Sequence, residues 1–177
     1  GTVAIAEQFT DCVERLDDEQ MDLARARNRS LKMATQPWIL SLDPDEEMSP
    51  ADLPALHRLT DDDPCHAYSF RVVNHQKEGA PILSSAVRLF RNSEQIYYSR
   101  PVHETVEESL RALPNAVLKL SEIPIQHLGY LKPDDEVQRK LDDYFICNKR
   151  YQQENPDDPM TYYNEALHHL NEGHEAQ

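Results

Sequence analysis

The sequence predicts an α/β fold: a sheet covered by helices, with antiparallel strands at an edge and a helical pair at the end of the chain. Three observations carry this. The first 60 residues alternate helix, strand, helix, strand, helix, the mark of an α/β layer. The middle third alternates apolar and polar side chains with a period of two. The last third shows apolar residues at helical spacing on either side of "NPDDP".

Taken in order, Thr2 to Phe9 reads as a short helix and "DCVERLD" as a short strand. Asp22 is placed to cap a helix running to about Ala34. The apolar run Trp38 to Leu42 reads as a strand. Ser49-Pro50-Ala51-Asp52 is a helix start, with Ser as the cap and Pro at the first helical position, and Leu53, Leu56 and Leu59 are expected to face inward. "HAYSFRVVNHQ" puts Tyr68, Phe70 and Val72 on one face of a strand. "SSAVRLFRN" follows it after the turn "HQKEGAP", and Ala86, Arg88 and Phe90 share one of its faces. "QIYYSRPVHET" and "AVLKLSEIPIQHLGY" are further strand candidates. Pro133 to Asn155 and Met160 to Asn171 read as two helices, with Gly173 as the stop of the second. The chain divides into residues 1–131 and a helical hairpin over 132–177.

Composition narrows the function. The 177 residues carry a formal net charge of −14, which argues against nucleic acid as a partner and against an electrostatic dock on anionic lipid. No apolar run reaches the roughly 18 residues of a membrane span, and no signal peptide is visible. The three cysteines are widely spaced and form no zinc pattern. Free thiols fit a reducing compartment, so a cytoplasmic location is expected. With only four glycines, none close together, neither a P-loop nor a GxGxxG turn can form.

The chemistry-bearing residues gather at strand ends. Trp38 to Leu42 runs into Asp43-Pro44-Asp45-Glu46-Glu47. Carboxylates there project from the edge where open α/β sheets bind ligands. Two Asp separated by one residue suit a divalent cation that also holds substrate phosphates. A solvated acidic turn capping the next helix accounts for them as well. A Ca²⁺ loop from Asp43 fails, because Met48 and Pro54 stand where Gly and Glu are needed. Arg25, Arg27 and Asn28 precede the strand and can face a diphosphate, order the carboxylates, or form an exposed basic face. His103-Glu104 follows a candidate strand and can supply a general base, although such a pair is common on surfaces. His127 is a candidate metal ligand or a satisfied strand-end histidine.

The ordered set "ARARNRSLKMATQPWILSLDPDEE", "VHE" and "HLGY" resembles the family 2 glycosyltransferases of the GT-A fold. The likeness is greatest to the soluble bacterial branch whose catalytic domain runs into tetratricopeptide-like helices. It implies a partial GT-A sheet and transfer of a sugar from a nucleotide-diphosphate donor, a UDP-sugar by expectation, to an unidentified acceptor hydroxyl, with inversion. It implies Asp43 near the donor ribose and diphosphate, with Arg27, Asn28 and His103 also on the donor. Asp45 and His127 would hold Mn²⁺ or Mg²⁺, and Glu104 would act as the base. The terminal helices would be the start of tetratricopeptide-like repeats and a protein-binding surface. A non-catalytic module derived from the same fold is the alternative.

Two departures from the family pattern stand out. "GTVAIAEQF" resembles the segment after the family's early "DGSTDGT" motif, so about 60 residues of strand–helix units are expected to lie outside this chain. Tight donor binding by this chain alone is therefore not expected. Ser99-Arg100-Pro101 also replaces the glycine usual before "VHE".

Overall fold

A computed structural model describes residues 2–16, 21–61 and 64–171. Its elements are α1 (Thr2–Ala6), α2 (Leu23–Leu31), β1 (Trp38–Leu40), β2 (Glu46–Glu47), α3 (Leu53–Thr60), β3 (Ala67–Asn74), β4 (Ile82–Arg91), α4 (Glu107–Ala112), β5 (Leu118–His127), α5 (Asp134–Glu154) and α6 (Pro159–Asn171). Short 3-10 turns occupy Pro50–Asp52 and Gly129–Leu131.

The strands form one sheet in the order β1-β4-β3-β5-β2. Both edge strands, β1 and the two-residue β2 that was not expected as a strand, run antiparallel to their neighbours. The period-two strands β3 and β4 lie in the interior of the sheet rather than at an edge. β3 and β5 pair in parallel, whereas an antiparallel arrangement was expected there. The β3–β5 connection contains α4, and such crossovers are what parallel neighbours require.

Each face of the sheet has its own core. One cluster joins Ala24 of α2 and Leu110 of α4 to Ala67, Val87 and Phe90, with Ile96, Tyr98 and Val106 from the intervening loop. The other joins Leu56 of α3 to Tyr68, Phe70, Leu89, Ile123 and Ile125. A strand covered on both faces loses simple alternation, which is why Leu89 and Phe90 are both buried. A register shift between Tyr68 and Ser69 leaves Arg88 of β4 without a partner on β3, and so Val87 and Leu89, two residues apart, serve opposite clusters.

Local signals hold in part. Asp22 caps α2 by accepting from the Arg25 N–H at 2.8 Å. Ser49 accepts from the Ala51 N–H at 3.3 Å and starts the 3-10 turn that leads into α3. Leu56 is buried, but Leu53 is 48% exposed and does not face inward. Residues 10–16 form no strand, because no neighbouring strand offers them pairing, and Asp17 of that predicted strand lies outside the described residues. "QIYYSRPVHET" is a loop bearing one isolated bridge, Ser99 to Thr105, with Arg100 (φ 69°) and His103 (φ 52°) in left-handed conformations that interrupt a ladder. The helix α4 after it was not read from the sequence.

The two terminal helices pack through a polar seam. Buried Asn148 donates to the Thr161 carbonyl at 2.7 Å, and Lys149 and Gln152 both reach Glu165. The predicted stop at Gly173 lies outside the described residues. Among the described residues no helix is long and apolar enough to cross a membrane.

Candidate functional site

The acidic segment is a tight turn with Pro44 at its second position, a placement that suits the fixed φ of proline. The Glu46 N–H donates to the Asp43 carbonyl at 2.9 Å, and the Asp43 N–H donates to Glu46 Oε2 at 3.1 Å. The turn is fastened at both ends. The Ser41 N–H donates to the Arg88 carbonyl at 2.8 Å, extending the β1–β4 contact, and β2 then pairs with β5 so that Glu46 faces His127. That register brings Asp45 beside the end of β5, where the Leu128 N–H donates to the Asp45 carbonyl at 2.9 Å.

The helix α2 supplies the opposite wall. Its first N–H, on Leu23, donates to the Pro101 carbonyl at 2.8 Å. One turn on, the Asn28 amide donates to the Tyr98 carbonyl and accepts from the Tyr98 N–H, both at 2.8 Å. Asn28 is thus a clamp between α2 and the loop, and its contacts lie there. The clamp sets Arg27 against the loop's end. Arg27 Nε donates to Glu104 Oε1 at 2.5 Å, one terminal nitrogen reaches Ser41 Oγ at 3.3 Å, and the other pairs with Asp43. Its guanidinium also lies 5.4 Å from the centre of the Tyr98 ring. Burial opposes the Arg27 charge, but Asp43 and Glu104 outweigh it and raise the pKa further.

Asp43 also meets Arg88 of β4, at 3.2 Å, and Arg88 pairs with Glu46 at 2.5 Å. The Glu46 side chain is only 2% exposed, so it is a buried ion-pair partner and not part of a solvated acidic turn. The signal for it was Arg88, a charge on a strand face between Ala86 and Phe90, which needs a buried counter-charge.

Arg27, Asp43, Arg88 and Glu104 line a cleft of about 400 Å³, together with His103 and Tyr144. Burial, with Glu104 and Asp43 nearby, pushes the Tyr144 pKa up to about 12, so its hydroxyl stays protonated in the cleft. Tyr144 stands at an apolar helix position in the sequence, and nothing in its spacing on α5 distinguishes a cleft residue from a core one. The His103 ring meets Tyr144 edge-on at 5.7 Å, and burial holds the His103 pKa below the usual imidazole value.

Asp45 and His127 form a second locus at the other end of the acidic turn. Asp45 Oδ2 accepts from Lys132 Nζ at 2.7 Å, and Asp45 Oδ1 stands 3.7 Å from His127 Nε2. Burial raises the Asp45 pKa, but the Lys132 hydrogen bond and charge, with Lys140 and His127, overcome this and hold it below the usual carboxylate range. An oxygen and an imidazole nitrogen at this separation suit a cation that takes its remaining ligands from phosphates and water. Among the described residues, no group of three or more His, Cys, Asp or Glu side chains gathers as a metal centre. The possible protein ligands here are two, an Asp45 oxygen and a His127 nitrogen, beside the Lys132 ammonium.

These contacts revise the reason for so many carboxylates after Leu42. Arg27, Arg88 and Lys132 already neutralise much of the turn. A bound ion is not needed to explain the acids, and the Asp45 Oδ1 oxygen stands 3.7 Å from His127 Nε2.

Comparison with known proteins adds two findings. The family model described as glycosyl transferase family 2 matches residues 1–118. A TPR repeat-containing protein of Synechococcus elongatus is 36% identical over 115 residues, which is 62% of this chain and 28% of that protein. The chain thus spans little more than a quarter of the length of that relative.

Proposed function

Since the chain belongs to glycosyl transferase family 2, we propose that it carries the catalytic cleft of a cation-dependent sugar transferase that uses a nucleotide-diphosphate donor and inverts the transferred sugar. The observation that carries this reading is the single guanidinium of Arg27 held between Glu104 and Asp43. It puts a candidate base and a candidate donor contact in one cleft at fixed separation.

Glu104 accepts the proton of the acceptor hydroxyl as that oxygen attacks the anomeric carbon. Arg27 orients the carboxylate through Oε1, and the side chain is about 10% exposed, so its other oxygen serves the acceptor. Asp43, steadied by Arg27 and Arg88, meets the donor ribose and diphosphate side. Tyr144, protonated, and His103 offer polar contacts across the cleft. Asp45 and His127 would hold Mn²⁺ or Mg²⁺, with Lys132 as the cation that balances Asp45 otherwise. Such an ion supplies Lewis-acid neutralisation of charge on the departing diphosphate. The donor is a UDP-sugar by family analogy, the acceptor is unassigned, and the cell compartment proposed is the cytoplasm. The α5–α6 pair, by analogy with the TPR-named relative, would contact a protein partner.

The test is UDP release from a panel of UDP-sugars with Mn²⁺, by the protein in its full natural length and by its Glu104→Gln and Asp45→Asn variants, with folding checked by circular dichroism. Glu104→Gln is expected to lower turnover by about 10²–10⁴-fold, the usual worth of a positioned acid–base group. Asp45→Asn is expected to raise the Mn²⁺ requirement. Folded variants with wild-type turnover would exclude this role. A second reading, a non-catalytic binding module, is favoured by the fact that Arg27, Arg88 and Lys132 leave the acids already paired. It predicts no UDP release by any variant and unchanged function in the cell.

A further inference from the structure

We infer that Asn74 and Gly129 prepare the Asp45–His127 pair for a divalent cation: Asn74 holds the His127 ring in one tautomer, and Gly129 keeps the space before Nε2 clear. This rests on the reading of Asp45 and His127 as a cation site.

Asn74 ends β3 and is 9% exposed. Its Nδ2 donates to the Ile82 carbonyl and meets Ser84 Oγ, both at 2.9 Å. A carbonyl can only accept, so the amide nitrogen must be the atom on that side. Oδ1 is then the atom that meets His127 Nδ1 at 2.8 Å, and it can only accept. In the neutral ring the proton therefore sits on Nδ1, and Nε2 presents a lone pair toward Asp45 Oδ1 at 3.7 Å. That gap is too long for a hydrogen bond. It falls within the reach of two ligands that each bind one ion at about 2.1 Å. The His75 N–H donates to the His127 backbone carbonyl at 3.0 Å and fixes the main chain there, while the Tyr130 ring packs edge-on against the imidazole at 5.3 Å.

Gly129 completes the arrangement by what it lacks. A Cβ there would lie 2.6 Å from His127 Nε2 and 2.9 Å from Asp45 Oδ2. Its φ lies outside the left-handed region, so the backbone does not require glycine. The requirement is steric, and it falls on the two side chains that face one another. The sequence shows the glycine only as a turn signal, because the partners it spares come from β5 and from the turn before β2.

The experiment uses the 177-residue chain and its Asn74→Leu, Asn74→Asp and Gly129→Ala variants. Nitrogen-15 spectra of the histidine rings, recorded without metal at mildly alkaline pH, report the tautomer. Mn²⁺ titration followed by electron paramagnetic resonance reports affinity. The wild type is expected to show His127 protonated on Nδ1 and to bind Mn²⁺. Asn74→Leu should lose the single tautomer and weaken Mn²⁺ binding about tenfold or more, the range for losing a partner of a ligating histidine. Asn74→Asp, which still accepts from Nδ1 but gives up the donation to the Ile82 carbonyl, should keep the tautomer wherever it folds. Gly129→Ala should keep the tautomer and lose the affinity, which keeps the proposal testable if Asn74→Leu fails to fold. A wild type that binds Mn²⁺ alongside folded variants of equal affinity would overturn this inference and leave the cation site standing. A wild type that binds no Mn²⁺ would overturn both.

Discussion

Arg27 meets its three partners with three different nitrogens: Glu104 through Nε, and Ser41 and Asp43 through the terminal pair. A lysine carries one compact charge and cannot span two carboxylates that approach from different sides. Arg27→Lys should therefore leave either Glu104 or Asp43 unpaired in a partly buried site, at a cost of roughly 2–4 kcal/mol. Urea denaturation should show a lower midpoint at an unchanged slope. An unchanged midpoint would mean that the fork is not what holds the cleft. At this scale the sequence was partly legible. "ARN" pointed to Arg27, but Asn28 looked equivalent to it, because spacing cannot tell a residue turned into a cleft from its neighbour clamping the Tyr98 backbone. Glu46, Lys132 and Asn74 were missed as site residues. Their partners lie 42, 87 and 53 positions away in the chain, and no local pattern encodes such meetings.

The loop from Ser99 to Thr105 replaces a predicted strand, and one of its residues, Arg100, takes a conformation that favours glycine. Arg100 sits at φ 69°, a conformation that costs a non-glycine residue roughly 1–2 kcal/mol. Its side chain offsets that cost. Arg100 Nε donates to Asp158 Oδ2 at 2.9 Å, and the guanidinium also pairs with Glu108. Asp158 in turn accepts from the Met160 N–H at 3.0 Å, at the start of α6. Strain and anchorage can be separated with Arg100→Gly and Asp158→Asn, the latter keeping an acceptor for Met160 while removing the charge. Arg100→Gly alone should be close to neutral, with relief of strain set against loss of the tie. In the Asp158→Asn background it should stabilise by about 1 kcal/mol, giving a coupling of that order in a double-mutant cycle. Equal effects in both backgrounds would show that the two elements are not tied. The period-two reading found β3 and β4 because burial alternates along Phe70 to Asn74 and Ala86 to Leu89, before it breaks where Leu89 and Phe90 are both buried. It mistook this loop for a strand because Ile96, Tyr98 and Val102 are buried without forming a ladder.

The boundary expected near residue 132 separates two segments in sequence that interlock in space. Cys147 and Arg150 of α5 both meet the Met21 carbonyl just ahead of α2, at 3.1 and 2.9 Å. Arg100 reaches Asp158 from the other side, and Tyr144 closes the cleft over His103. These contacts fall on α2 and on the Ser99–Thr105 loop, the elements that hold Arg27 and Glu104. The helix α5 thus adds Tyr144 to the wall of the candidate site. Helical periodicity predicted both helices, and apolar spacing could not reveal their docking, since the contacts are made by a cysteine, arginines, a tyrosine and an aspartate. Thermal unfolding of the chain should accordingly be one transition, seen alike by far-ultraviolet circular dichroism and by fluorescence of Trp38 on the sheet. Removing residues 134–177 should lower that transition by several degrees or more. A loss of about 1 kcal/mol shifts Tm by roughly 2–8 °C for domains of this size range, and more than one contact is lost. It should also speed amide exchange in α2 relative to β3, because the sheet keeps both its clusters while α2 loses its outer support. Two separate transitions in the intact chain, or a truncated chain that melts at the same temperature with α2 equally protected, would show instead that the helices are an independent unit and that the cleft stands without them.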